Sequence, residues 1–230
     1  MTGKLYGVGV GPGDPELMTL KAVRIIKECE VAAVPNTGEN EMTALAIAQS
    51  AIPGLCNKKI LEISMPMTRD GELLNACHTS AAEQIMQSLI KGNSVAFLTL
   101  GDPTVYSTYI YVHKKVVQMG GQAEIVPAVP SFCAAAARLG ISLAEGAEPL
   151  HIIPGSYSGV REGLKLPGTK VLMKTGRAFT KIKKDIAEKN LGGCAKMVQR
   201  CGMSGERVFE DLSAAGEDAS YFSIIIVKDA

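Results

Sequence analysis

The stretch Gly7-Val-Gly-Val-Gly-Pro-Gly-Asp-Pro-Glu-Leu17 has the glycine density of a nucleotide-binding turn. A G-x-G-x-x-G dinucleotide fingerprint laid on it from Gly7 or from Gly9 fails at the sixth position, where Pro12 or Asp14 stands. A pyrophosphate site needs free N–H groups at the positive end of a helix. Here Pro12 and Pro15 remove two donors, and Asp14 puts a carboxylate where the phosphate would go. Asp14 followed by Pro15 reads instead as a helix N-cap with proline at the first helical position. The loop is therefore unsuited to anionic phosphate. A second turn, Gly101-Asp102-Pro103, closes an apolar run and leaves Asp102 as the one carboxylate at that strand's mouth. Asp102 either caps the next helix or binds a ribose hydroxyl or an ammonium group. Ser131 has the same two readings, cap or ligand donor.

Other reactive residue types point nowhere in particular. His78, His113 and His151 lie far apart on unrelated elements and read as surface or satisfied core histidines. Arg69 and Arg177 sit in loop-like surroundings, with solvated charge the default and anion binding the alternative; Met173 reads as core. Six cysteines without a C-x-x-C pair, and no histidine at ligand spacing, read as buried thiols and predict no metal site. The sequence carries no nucleophile motif, paired-carboxylate signature or P-loop lysine. Any chemistry must come from a reactive cosubstrate.

The elements that position these residues repeat one pattern. Three times in the first 140 residues an apolar strand runs into a short turn and then a helix. The first unit is strand 4–9, the glycine loop, and a helix over 15–29 with Leu17, Leu20, Val23 and Ile26 on one face, followed by strand 31–34. The second is strand 94–100, the Gly-Asp-Pro turn, and a helix over 104–119 with Val105, Tyr109, Val112 and Val116 on one face. In the third, Ser131 begins an alanine-rich helix ended by Gly140. Alternation of this kind predicts a parallel sheet with crossover helices, and ligands bind outside the carboxyl ends of such strands. Beyond Glu148 the texture changes to shorter strands around 150–156, 169–175, 195–201, 206–212 and 221–227, with one clear helix near 178–189. Two α/β domains are predicted, 1–146 with the glycine loop and the Gly-Asp-Pro turn, and 147–230 with a mixed α+β texture.

Composition narrows the function classes. With 230 residues and 47% hydrophobic content the chain can bury a substantial core. A net charge of +1, with lysines and arginines scattered, offers no basic stripe for nucleic acid or an anionic membrane. Tryptophan is absent and 5% of residues are aromatic, which argues against a base-stacking surface. No apolar run is long enough to cross a bilayer, and no signal-peptide pattern opens the sequence, so a cytoplasmic location is expected.

The three turns together resemble the hallmark segments of the tetrapyrrole methylases, which use S-adenosylmethionine. "GVGVGPGDPELMTLKA", "LTLGDPTVYS" and "PAVPSFCAAAARLG" stand in the right order and at the right distances. Within that family "PMTRD", "VYSTYIYVHKKV" and "VQRCGMSGERVFEDL" look like the C20-methyltransferases of cobalamin biosynthesis, which act on precorrin-2 or cobalt-factor II. The resemblance implies two α/β domains with the cofactor in the cleft between them, a homodimer, and release of S-adenosylhomocysteine. It places Pro12 against the cofactor and puts Leu100, Gly101 and Asp102 at its methionine moiety, with Val105 following. Pro130 and Ser131 match a serine-serine or threonine-alanine pair in relatives, and proline at 130 lacks that pair's N–H and hydroxyl. Lys174 falls where several relatives carry methionine, with Met173 adjacent, and Cys201 matches a residue that offers its backbone to the adenine. A substrate with many carboxylates would be held by cations, and Arg69, Arg177 and Arg200 are the candidates. S-adenosylmethionine has no phosphate, and its sulfonium and ammonium are cationic, which suits a proline-interrupted loop bearing Asp14. Relatives that methylate another ring position, diphthine or ribosomal RNA are the alternatives within the superfamily.

Overall fold

The computed structural model describes residues 2–38, 42–68, 70–216 and 220–229, with Arg177 described by its backbone alone. Contacts divide the chain into two compact units, 1–130 and 131–230.

The first unit is built on strands β1 (Lys4–Gly9), β2 (Val31–Asn36), β3 (Lys59–Ser64), β4 (Val95–Thr99) and β5 (Gln122–Val126). They form one sheet in the order β3-β2-β4-β1-β5, and every pairing is parallel. Parallel strands need crossover connections, here α1 (Leu20–Glu28), α2 (Thr43–Ala51), α3 (Gly71–Ile90) and α4 (Tyr109–Gln118). Successive strand side chains face opposite sides, so Leu5, Val31, Ala33, Val95 and Phe97 share one face. That face packs on Ala81, Ala82, Ile85 and Leu89 of α3 and on Tyr109, Val112 and Val116 of α4. Helix α1 packs on β1 and α2 contacts β4. All five residues of β4 are buried, as a strand covered on both faces requires. Each large apolar side chain such as Phe97, 1% exposed, contributes about 1.5–3 kcal/mol by leaving water.

Two predicted helices are shorter than expected, each for a local reason. The helix over 15–29 breaks in two. Asp14 accepts from the Glu16 N–H at 2.9 Å and starts a 3-10 turn, Pro15–Leu17. Thr19 then caps α1 by accepting from the Ala22 N–H at 3.1 Å. The break shifts the helical phase: of the residues expected on one face Leu20 is 90% exposed and Val23 half-buried, while Ile26 is buried together with Ala22 and Ile25. The helix over 104–119 begins at Tyr109, because Asp102 engages Thr104 and Tyr106 turns left-handed at φ 49°. Tyr109, Val112 and Val116 hold the predicted face, while Val105 is half-buried in the turn.

The second unit carries α5 (Ser131–Arg138), β6 (Leu150–Pro154), α6 (Val160–Gly163), β7 (Thr169–Met173), α7 (Phe179–Glu188), β8 (Ala195–Gln199), β9 (Arg207–Phe209) and β10 (Ser223–Val227). The sheet order is β6-β7-β10-β8-β9. β6 and β7 pair in parallel, whereas β10 is antiparallel to both β7 and β8, so β6, β7 and β8 end at the same edge. One face packs Leu172, Met197, Ile225 and Val227 against Phe179, Ile182 and Ile186 of α7. Helix α5 contacts β8 and β10, and so goes with this unit. Both sheets have the predicted character, parallel in the first unit and mixed in the second.

Candidate functional site

β1 and β4 are neighbours, but the chain leaves them in opposite directions, β1 toward β2 and β4 toward β5. A parallel sheet opens a crevice at such a reversal, at the carboxyl ends of the two strands. The glycine loop and the Gly-Asp-Pro turn are the loops at that point, which is the physical reason for reading them as a site. They are knitted together: the Val10 N–H donates to the Thr99 carbonyl at 3.0 Å and the Gly101 N–H to the Gly11 carbonyl at 2.8 Å. Gly9 is demanded by that approach, because a Cβ there would lie 2.6 Å from the Gly101 carbonyl oxygen and 2.5 Å from the Ala128 Cβ. The glycine density thus serves loop-on-loop packing, not a phosphate. Pro12 is buried in the loop, and Leu100 is half-buried at the end of β4.

Asp102 is 7% exposed, and both of its carboxylate oxygens act as ties. One carboxylate oxygen accepts from the Thr104 N–H at 2.8 Å and the Thr104 hydroxyl at 2.5 Å. The other accepts from the Ala128 N–H at 2.8 Å, so the turn after β4 is bound to the segment after β5. Both readings of Asp102 are compatible with this geometry. It holds the turn, and an ionised carboxylate has about four acceptor sites, one more than is used here. Thr99 and Ser107 bridge hydroxyl to hydroxyl at 2.8 Å across the same turn. Tyr106, 41% exposed with its backbone left-handed, is a strained residue that sequence reasoning missed. Pro130, half-buried, closes this unit, and Ser131, also half-buried, opens α5 in the other.

In the second unit Met173 and Lys174 stand at the end of β7, and Arg200 and Cys201 at the end of β8, on the same sheet edge. The first residue beyond each strand is left-handed, Lys174 at φ 54° and Arg200 at φ 51°. Burial lowers the pKa of the half-buried Lys174 below the ordinary lysine value. Arg200 donates through Nε to the Ser204 carbonyl at 2.8 Å and lies over the Phe222 ring. Cys201 is 9% exposed, consistent with a contact through backbone and not thiol. Arg69 lies outside the described residues, as does the side chain of Arg177.

The histidines divide. His151 Nε2 lies 2.9 Å from the Pro167 carbonyl and His113 Nδ1 lies 3.0 Å from the Tyr109 hydroxyl. His78 departs from the expected satisfied state: it stacks on Tyr111, and its buried Nε2 has no hydrogen-bond partner among the described residues. Burial lowers its pKa, with the Lys115 ammonium adding to the effect. His78 and His113 also sit on packed neighbours, α3 and α4, and not on unrelated elements. Burial pushes the Cys29 thiol up to about 12, leaving it inert. Among the described residues no cluster of metal-ligating side chains occurs, and no helix is long and apolar enough to cross a membrane.

A family profile for Tetrapyrrole (Corrin/Porphyrin) Methylases matches residues 4–215. The chain is 31% identical to the Cobalt-precorrin-2 C(20)-methyltransferase of Salmonella typhimurium, covering 99% of this chain and 97% of that one. It is also 31% identical to the Cobalamin biosynthesis protein CobIJ of Mycobacterium tuberculosis, covering 98% of this chain but 46% of that protein. The chain thus spans about half the length of that relative. The fold is similar to a Uroporphyrin-III C-methyl transferase from Thermus thermophilus crystallised with S-adenosylhomocysteine, with TM-score 0.71, 21% identity, and coverage of 99% and 98% of the two chains. Profile, full-length similarity and fold agree: the chain belongs to the tetrapyrrole (corrin/porphyrin) methylase family.

Proposed function

We propose that the protein transfers the methyl group of S-adenosylmethionine to C20 of a reduced tetrapyrrole, precorrin-2 or cobalt-factor II, in cobalamin biosynthesis. The observation that carries this reading is the similarity, over nearly the whole of both chains, to a relative named for that position. The cofactor supplies an already activated methyl group, and the electron density lies in the macrocycle. The protein's part is therefore alignment of donor and acceptor and exclusion of water.

The residues present fit such a cofactor. Pro12, Leu100, Gly101, Asp102, Val105, Pro130, Ser131, Met173, Lys174 and Cys201 are the residues assigned to it. Asp102 keeps acceptor capacity for an ammonium or a hydroxyl beyond its three internal bonds. Pro12 and Pro15 present no N–H to a phosphate, and Asp14 would repel one. Arg69, Arg177 and Arg200 are assigned to the carboxylates of the macrocycle. The protein acts as a homodimer in the cytoplasm, on a small molecule and not on nucleic acid or a membrane.

Calorimetric titration tests the cofactor half of this reading. S-adenosylhomocysteine is expected to bind at micromolar concentration, whereas NAD and ATP give no heat of binding. Binding of NAD or ATP in place of S-adenosylhomocysteine would sink it.

A further inference from the structure

The loop after β4 holds an aromatic residue in a backbone conformation that bulky side chains avoid. Tyr106 is left-handed at φ 49°, where its side chain crowds its own backbone. Glycine takes such a position without steric cost, and the same loop uses it at Gly101, φ 69°. Tyr106 is fixed there from both sides. Before it, Asp102 accepts from the Thr104 N–H and hydroxyl, and the Val105 N–H donates to the Asp102 carbonyl at 3.2 Å. After it, the Ser107 hydroxyl is bridged to Thr99 and accepts from the Tyr109 N–H at 3.3 Å. The core makes no use of this strain. Tyr109 is the fully buried tyrosine of the segment, its ring packed beside Phe97 and its hydroxyl donating to the Glu124 carbonyl at 3.1 Å. Tyr106, by contrast, is 41% exposed, on the loop at the crevice where the connections of β1 and β4 diverge. Strain of this kind, enforced by the surroundings and unused by the core, belongs at ligand-binding positions.

We propose that Tyr106 is a substrate-binding residue whose ring lies against the conjugated face of the tetrapyrrole, beside the methyl donor. A flat π-system is the chemistry that an exposed tyrosine ring selects, through removal of apolar surface from water and offset stacking. The proposal rests on the methyl-transfer reading. In that reading Leu100, Gly101 and Asp102 meet the methionine part of the cofactor, which carries the transferable methyl, and the adenine goes to Cys201. The acceptor carbon must come within reacting distance of that methyl. A ring four residues beyond Asp102 therefore serves the acceptor and not the adenine. Burial raises the pKa of the Tyr106 phenol, so the ring stays neutral and sets no charge against the macrocycle.

Tyr106→Gly and Tyr106→Phe test this by binding, without turnover. Precorrin-2 and cobalt-factor II are titrated in the presence of S-adenosylhomocysteine and followed by the visible absorbance of the macrocycle, and S-adenosylhomocysteine alone is followed by calorimetry. Glycine fits the left-handed backbone, so Tyr106→Gly should melt no lower than wild type. It should nevertheless bind the tetrapyrrole about tenfold or more weakly, and S-adenosylhomocysteine within about threefold of wild type. Tyr106→Phe keeps the ring face and should bind the tetrapyrrole within about threefold of wild type. Unchanged tetrapyrrole affinity in the glycine variant overturns the assignment, as does an equal loss for both ligands, which is the pattern of a merely structural tyrosine. A loss in Tyr106→Phe as large as in Tyr106→Gly overturns the stacking role. A wild type that binds S-adenosylhomocysteine but neither tetrapyrrole overturns the acceptor half of the methyl-transfer reading, and the assignment of Tyr106 falls with it.

Discussion

Replacing Asp102 by alanine lowers the unfolding free energy by about 2–4 kcal/mol and weakens S-adenosylhomocysteine by about tenfold or more. The two effects have separate causes. The carboxylate satisfies the Thr104 and Ala128 amides, and without it those part-buried donors lose their partner. Its removal also unties the turn after β4 from the segment after β5, so the Gly101-Asp102-Pro103 turn loses one of its anchors. Asparagine is no rescue. It keeps one acceptor oxygen but turns an amide NH₂ toward a donor, Thr104 or Ala128. Urea unfolding and calorimetry on wild type, Asp102→Ala and Asp102→Asn measure both effects. Unchanged stability in the alanine variant contradicts the tie, and unchanged affinity reduces Asp102 to a structural residue.

The second large effect lies at the start of β7, away from the proposed site. Lys170 is 1% exposed, and its ammonium donates to the Gly168 carbonyl at 2.7 Å and to the Asp229 carboxylate. The other oxygen of Asp229 accepts from the Gly168 N–H at 2.5 Å. Asp229→Ala strands a buried ammonium and costs about 2–3 kcal/mol, the lower part of the range for broken buried pairs because Asp229 is half exposed. Lys170→Met removes the charge itself and should be near neutral, since an apolar chain fills the same volume. The hydrogen bond from Lys170 holds the Asp229 carboxyl below its usual range, with the Gly168 N–H adding to it. A group depressed in the folded state stabilises fully above its unfolded pKa, about 3.9 for aspartate. That contribution is lost as the pH falls below this value through the folded pKa, so wild type should lose stability there and Asp229→Ala should lose less. Urea midpoints at neutral pH and near pH 3 read the difference, and equal acid sensitivity in the two proteins would contradict the assignment.

The fold and the site were legible in the sequence to different degrees. Strand mouths were readable because the residues that end an apolar run, Gly101-Asp102-Pro103 and Met173-Lys174, are punctuated by glycine, proline or charge. Helix limits were not, because they depend on competition between side chain and backbone. Thr19 takes the Ala22 amide and resets the phase of α1, and Asp102 takes the Thr104 amide and delays α4. Helix α3 carries apolar residues around much of its surface, so periodicity gave no signal for it. Gly9 looked like a phosphate-loop glycine, and its actual constraint, the Gly101 carbonyl and Ala128, comes from residues about 90 or more positions away in the chain. Tyr106 was invisible for a related reason: a tyrosine after a turn is ordinary until its backbone is found left-handed, pinned between the ties of Thr104 and Ser107.

The most direct test is transfer of isotopically labelled methyl from S-adenosylmethionine, with precorrin-2, cobalt-factor II, ribosomal RNA and translation elongation factor 2 offered side by side and the labelled position read by NMR. Label at C20 of precorrin-2 or cobalt-factor II is the predicted result, whereas label at another ring carbon contradicts the C20 assignment, and label only in RNA or protein contradicts the proposed function altogether.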